Sequence, residues 1–439
     1  MPTSNPALCP WAVRARHDVL VTSIPHFAHS LRRMTGRDPQ QAHRAATPLE
    51  LLFDLTFVVA FGVASSQTAH LLSEGHVGPA LLGFGFALFA ISWAWINFSW
   101  FASAYDTDDW LFRVLTMVQM VGVIVLALGL PVLFESLDHG GHLDNTIVVL
   151  GYVIMRVALV LQWLRAAAQD PARKVVALSY AKNIALIQIG WVVVAVLQIP
   201  IAVAIPISLV LFAAEMAAPV FAEGKGMRSG VGSTPWHAHH IAERYGLLAI
   251  ITLGEVVFGT VTAATAVMEE SGWNGETAIL VITGVGLAFG LWWTYFILDA
   301  GAVLKRFRSR AFVWGYGHVL IFASITATGT GLHLVEYLIE HHTEIGVVGT
   351  VLSVAIPVFV FMITSFALYA WLMRSLDPLH VLLVAISAAF LVGGVIAATA
   401  GASIGVCLML ITLSPYVVVV GYETIGHRHQ AAQLARVLA

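Results

Sequence analysis

The sequence predicts an all-α, polytopic integral membrane protein of about twelve transmembrane helices. Three observations carry that reading. Hydrophobic residues make up 59% of the 439-residue chain and charged residues 11%, whereas a soluble domain carries roughly 25% charge. Mean hydropathy is +0.84. Apolar runs of about 20 residues, the length needed to cross a bilayer, recur along most of the chain. So little charge cannot coat a soluble globule of this size, which excludes a soluble enzyme, a disordered chain and a nucleic-acid binder. The runs are continuous and do not alternate, so a β-barrel is not expected.

Twelve segments qualify as spans: 48–72, 78–101, 111–134, 146–168, 176–197, 199–221, 240–264, 276–298, 311–335, 345–373, 378–400 and 402–424. Pro200 and Pro206 fall at the fifth boundary, where one long broken helix is the competing reading. Residues 1–46 lack a signal-peptide core and hold six arginines, so they read as a cytoplasmic tail before an uncleaved signal anchor. Cys9 and Cys407 give no disulfide framework and no metal motif. Eighteen of the 22 Lys and Arg fall on the N-terminal side of the membrane, counting Arg165 at a span end. The six loops on the other side hold none. The positive-inside rule then places both termini in the cytoplasm of a bacterial inner-membrane protein.

The segment 222–239 divides the spans six and six, giving one unit at 47–221, a second at 240–424 and a cytoplasmic tail at 425–439. The units echo each other. Gly83-Phe-Gly85-Phe-Ala87 matches Gly284-Val-Gly286-Leu-Ala288, Trp93 and Trp95 match Trp292 and Trp293, and Thr47-Pro48 matches Thr234-Pro235. Six is even, so a duplication keeps its orientation, and the expected relation is a parallel two-fold along the membrane normal.

Arg44 to Phe57 reads RAATPLELLFDLTF, Tyr105 to Arg113 reads YDTDDWLFR, and His240 to Glu255 reads HIAERYGLLAIITLGE. With Trp-Trp-x-Tyr-Phe at Trp292 to Phe296, the chain after residue 44 resembles the bacterial low temperature requirement A family, from which Pro48 is one departure. The resemblance implies a link to growth in the cold and carries over no substrate or reaction.

Mechanism is therefore sought in charges within the spans, each costing about 2.5–3.5 kcal/mol at a helix centre. Thr47, Pro48 and Glu50 fit a capping box, and Asp106 fits a cap before the third span. Asp54 lies one turn deeper than Glu50 on the same face, with Arg113 as its candidate partner. Glu243 and Arg244 open the seventh span. Glu255 and Arg156 lie near the middle of the seventh and fourth spans, and either pair or line a water-filled path. Lys182 and Glu215 form a second matched pair, nearer the cytoplasmic face. His318 is a candidate proton carrier or a satisfied core histidine. His237, His239 and His240 lack a zinc spacing, and the Trp clusters at 93–100 and 292–293 read as an aromatic belt. No catalytic residue, metal or cofactor is expected. The partners expected are the lipid bilayer and an unidentified small solute or ion, with no nucleic acid. A transporter or other permeation protein leads; an intramembrane enzyme of lipid or envelope chemistry and a non-catalytic stress factor are the alternatives.

Overall fold

The computed structural model describes residues 31–41 and 44–438; Cys9, Arg14 and Arg16 lie outside them. Among the described residues there are twelve helical segments long and apolar enough to cross a membrane. The first six are α1 (Pro48–Ser73), α2 (Val77–Tyr105), α3 (Trp110–His139), α4 (Thr146–Gln169), α5 (Lys174–Leu197) and α6 (Ile201–Arg228). The rest are α7 (Ala238–Ser271), α8 (Gly275–Phe296), α10 (Ala311–Ile339), α11 (Gly346–Met373), α12 (Pro378–Thr399) and α13 (Ile404–Gly421), with a short α9 (Ala300–Arg306) before α10 and α14 (His427–Leu438) at the end. Outward-facing side chains such as Leu128, Val196 and Val210 are apolar and exposed, as a lipid-facing surface requires. The molecule is a multi-pass membrane protein.

The helix ends follow from local chemistry. Thr47 accepts from the Glu50 N–H, and the Thr47 N–H donates back to Glu50 Oε2 at 2.8 Å, with Pro48 at the first helical position. Asp109, not the expected Asp106, caps α3: its carboxylate accepts from the Phe112 N–H at 3.0 Å. Asp106 instead ends α2 and accepts from the Asp108 N–H. Asn274 and Asp377 cap α8 and α12. The chain breaks at Gln198, in a left-handed conformation with φ 42°, so α5 and α6 are two packed helices and not one broken one.

Packing order is similar in the two halves. α1 packs on α2 and α3, and α3, α4, α5 and α6 follow in sequence; α7 packs on α8 and α10, and α10, α11, α12 and α13 follow. The halves join where α1 meets α7 and α10, and where α2 meets α10. Small residues permit the closest crossings. A Cβ on Gly151 would lie 2.3 Å from the Leu126 backbone nitrogen, so α3 and α4 touch backbone to backbone there.

Two regions expected as tails or loops are ordered. Residues 31–37 lie across the ends of α2, α3 and α4: Met34 is fully buried, and its N–H donates to Gln169 Oε1 at 2.7 Å. The C-terminal α14 folds back, with Gln433 donating to Asp377 and Gln430 donating to the Ile297 carbonyl.

Candidate functional site

The first two turns of α1 and α7 face each other with matched spacing. Glu50 and Asp54 are the third and seventh residues of α1; His240 and Arg244 are the third and seventh of α7. They pair across the interface. His240 Nε2 lies 3.1 Å from Glu50 Oε1, and Arg244 Nη2 donates to Asp54 Oδ1 at 2.6 Å. Both pairs are separated by 190 residues in sequence. α1 and α7 therefore meet at matching positions over their first two turns, Glu50 with His240 and Asp54 with Arg244. Deeper in the membrane α1 approaches α7 again at Glu255, where a Cβ on Gly62 would stand 3.3 Å from Glu255 Oε1.

All four residues of the outer cluster are at most 1% exposed. Trp95 Nε1 donates to Asp54 Oδ1 at 2.6 Å, and Arg244 also donates to Ser99 Oγ at 3.2 Å. Arg244 Nη1 stands 3.9 Å from Glu50 Oε1. The hydrogen bonding is incomplete: Asp54 Oδ2, Arg244 Nε and Nη1, and His240 Nδ1 are buried without a hydrogen-bond partner. Buried polar atoms are ordinarily satisfied, and a cluster of exceptions marks a place for water, an ion or a proton.

Arg113 does not reach Asp54. It is an exposed side chain that donates to Asp108 at 2.8 Å, because it starts the outward face of α3. Nor does Arg156 meet Glu255. It donates to the Tyr152 hydroxyl and lies 3.8 Å from Glu215 Oε2. Glu215 also accepts from Trp93 Nε1 at 3.2 Å and from Gln188 Nε2 at 2.9 Å. That set ties α2, α4, α5 and α6 together. Lys182, the expected partner of Glu215, is exposed on α5. α6 continues to Arg228, which puts Glu215 at mid-helix beside Arg156. Trp93 and Trp95 are fully buried and serve these carboxylates, so they form no outer belt; Trp292 is at the surface.

Glu243 is exposed and faces a cavity of about 440 Å³ that His239, Tyr295, His318, Tyr369 and His380 also line. His318 is internally satisfied: Nδ1 donates to the Trp314 carbonyl at 2.7 Å, so Nε2 is the acceptor for the Tyr295 hydroxyl at 3.0 Å. The three clustered histidines do not converge. His237 Nδ1 accepts from the His240 N–H, its Nε2 donates to the Gln41 carbonyl, and His240 turns to Glu50. Burial pushes His237 below its usual value, against the opposing Gln41 carbonyl. Among the described residues one group has ligand-like spacing, Glu74, His76 and Asp138, and it lies at the opposite ends of α1 and α3, mostly exposed.

Charges bordering the cluster are shifted. Burial, reinforced by Glu50 and opposed by Arg44, raises Asp106 to about 6. Burial followed by repulsion from Arg37 lowers Arg44 to about 10, and its guanidinium donates to the Ala102 and Ser103 carbonyls at the end of α2. Burial would raise Asp109, but hydrogen bonds from Arg165 and the Phe112 N–H outweigh it and hold the carboxyl at about 2.

Sequence reasoning singled out Asp54, Glu255 and Arg244 but missed His240 as the partner of Glu50 and Trp95 as a donor to Asp54. A signal was available. Glu50-x-x-x-Asp54 and His240-x-x-x-Arg244 carry the same spacing at the same distance from their helix starts.

Comparison with known proteins agrees with this architecture. A protein of Rhizobium meliloti (strain 1021) described as uncharacterized is 24% identical over 310 residues, covering 68% of this chain and 70% of its own length. No solved structure matches the chain. Residues 45–415, which hold the α1–α7 seam and eleven of the twelve spans complete, match the model of the bacterial low temperature requirement A protein, and the chain belongs to that family.

Proposed function

We propose that the protein is a transporter or other permeation protein for a small solute or ion, seated in the bacterial inner membrane with both termini in the cytoplasm. The observation that carries this reading is the α1–α7 seam. It places four ionisable side chains at the junction of the halves, fully buried, with polar atoms left open. Such groups are expensive inside a membrane and characteristically mark ion and substrate paths. A cavity lined by His239 and Glu243, the sequence neighbours of His240 and Arg244, lies at the same end of α7.

The two halves are read as parallel repeats. A two-fold axis along the membrane normal brings equivalent residues together where it passes, and constant separation of 190 along α1 and α7 is the pattern expected there. The family description ties its members to a low temperature requirement, and the same link is inferred for this chain. The test uses purified protein in sealed vesicles, challenged with gradients of protons, monovalent ions and small polar solutes. A protein-dependent flux that falls at least tenfold in Asp54→Asn supports the reading. Absence of any such flux in the wild type overturns it.

A further inference from the structure

The cavity of about 440 Å³ in the second half is built from helix ends on one side of the membrane. The starts of α7, α10 and α12 and the ends of α8 and α11 all line it, with Val418 of α13. α14 folds back onto it and contributes Gln430. Its volume falls within the range of roughly 300–1,000 Å³ typical of small-molecule sites. None of Glu50, Asp54, His240 and Arg244 lines it, so it is separate from the α1–α7 seam.

The lining has one electrostatic sign. Its formal charges are two carboxylates, Glu243 and Asp299, both on exposed residues, and no Lys or Arg is among the described lining residues. Six aromatic side chains, Tyr295, Phe296, Trp314, Phe366, Tyr369 and Tyr422, form much of the wall. The faces of such rings are negative and attract cations. The polar atoms left open point the same way. Thr294 Oγ1, Ser365 Oγ and Gln430 Oε1 are buried without a hydrogen-bond partner, and all three residues line this cavity. Thr294 is only 8% exposed. Gln430 Nε2 donates to the Ile297 carbonyl at 3.0 Å, so the open atom is the amide oxygen, which can only accept. The Tyr295 hydroxyl gives its proton to His318 Nε2, which leaves its oxygen an acceptor as well. Acceptors without donors, carboxylates without cations and ring faces all await a positively charged donor. An anion would meet two carboxylates and no compensating charge. Among the described residues the lining carboxylates and histidines do not bring three ligand atoms together, so a bare metal ion lacks its coordination set.

We propose that this cavity is a binding site for an organic ammonium ion, a protonated amine on an apolar body about the size of one ring. The ammonium N–H groups supply the donors that Gln430 Oε1 and the Thr294 and Ser365 oxygens lack. Glu243 and the aromatic faces offset the charge. The apolar body fills the space beside Ile321, Leu368 and Leu383. Binding here does not rest on the permeation reading.

The test is equilibrium binding to the purified full-length chain in detergent at neutral pH, with phenethylamine, tryptamine and cyclohexylamine as probes. At least one amine is expected to bind saturably. Phenethyl alcohol and hydrocinnamate, which keep the ring and replace the ammonium by a neutral or an anionic group, are expected to bind at least tenfold more weakly than phenethylamine. Glu243→Gln and Gln430→Leu should each weaken amine binding at least fivefold, with unchanged melting temperature showing that the variants are folded. Glu243→Gln should leave the affinity for phenethyl alcohol as it is, because that ligand has no charge to lose. Absence of saturable binding by all three amines at millimolar concentration overturns the proposal. So does equal affinity for the amine and the alcohol, or wild-type amine affinity in both folded variants. Amine binding by protein that moves no solute in sealed vesicles supports the site while overturning the permeation reading.

Discussion

Two buried arginine–carboxylate pairs cross this membrane protein, and they differ in how completely they are closed. At Arg156 and Glu215 both carboxylate oxygens accept from neighbours, Trp93 on one and Gln188 on the other. At Arg244 and Asp54 one carboxylate oxygen takes two donors while the other has none, and a second carboxylate, Glu50, shares the same guanidinium. A buried carboxylate with both oxygens filled has little to exchange and acts as a clamp. One with open atoms at the junction between two halves can bind, release or reorient. Depth and charge do not distinguish these pairs, and a guanidinium nitrogen is open in each, Arg156 Nε and Arg244 Nε; the carboxylates distinguish them, with both oxygens filled at Glu215 and one open at Asp54.

The largest effect is expected at the clamp. Arg156→Gln should cost about 3–5 kcal/mol, because Glu215 is left buried without its cation. Thermal unfolding and monodispersity in detergent read this directly. The double change Arg156→Leu with Glu215→Leu should recover more than half of the loss, since no buried charge remains. A single variant as stable as wild type would break the comparison.

Asp54→Asn should be milder for stability, about 1–2 kcal/mol, because the amide oxygen still accepts from Trp95 and Arg244. Its effect should appear in flux. Equal losses of stability at Asp54 and Arg156 would mean that both are clamps.

A pH effect of similar size is expected at Asp106. Its carboxyl is raised to about 6 by burial, so folding favours the protonated form. That contribution is complete below the unfolded value near 4 and is lost as pH rises through about 6. Asp106→Asn should therefore gain over wild type as pH rises from 5 to 8, by on the order of 2 kcal/mol at the top. Melting temperatures across that range check it, and a constant gap would contradict the assigned shift.

The smallest effect belongs to Arg113→Gln, under about 1 kcal/mol, because its bond to Asp108 is an exposed one. A large loss there would restore Arg113 to the seam.

The fold was largely readable from the sequence because hydropathy is summed over whole spans. Twelve apolar segments and their capping signals, such as Thr47-Pro48 with Glu50, are local features. Pairing was not readable, since it depends on which helix faces lie together. Depth along each helix matched Arg156 to Glu255, but α4 packs beside α2 and α5 and not beside α7. The same limit misplaced Trp93 and Trp95: a tryptophan near a span end fits a lipid interface or a buried carboxylate equally well until its neighbours are known. The docked strap at 31–37 had no hydrophobic pattern to reveal it, because its contacts are mostly backbone hydrogen bonds to Gln169, Asp170 and Ala104.

The most direct test of the contrast is a single flux experiment on matched variants. Wild type, Asp54→Asn and the Arg156→Leu/Glu215→Leu double variant are reconstituted at equal, verified folded amounts, and proton movement is followed after a pH jump. The open seam should be required and the closed clamp dispensable: the double leucine variant should conduct within a few-fold of wild type while Asp54→Asn loses at least tenfold. Conduction by Asp54→Asn at the wild-type rate, with loss in the folded double leucine variant, would contradict the account.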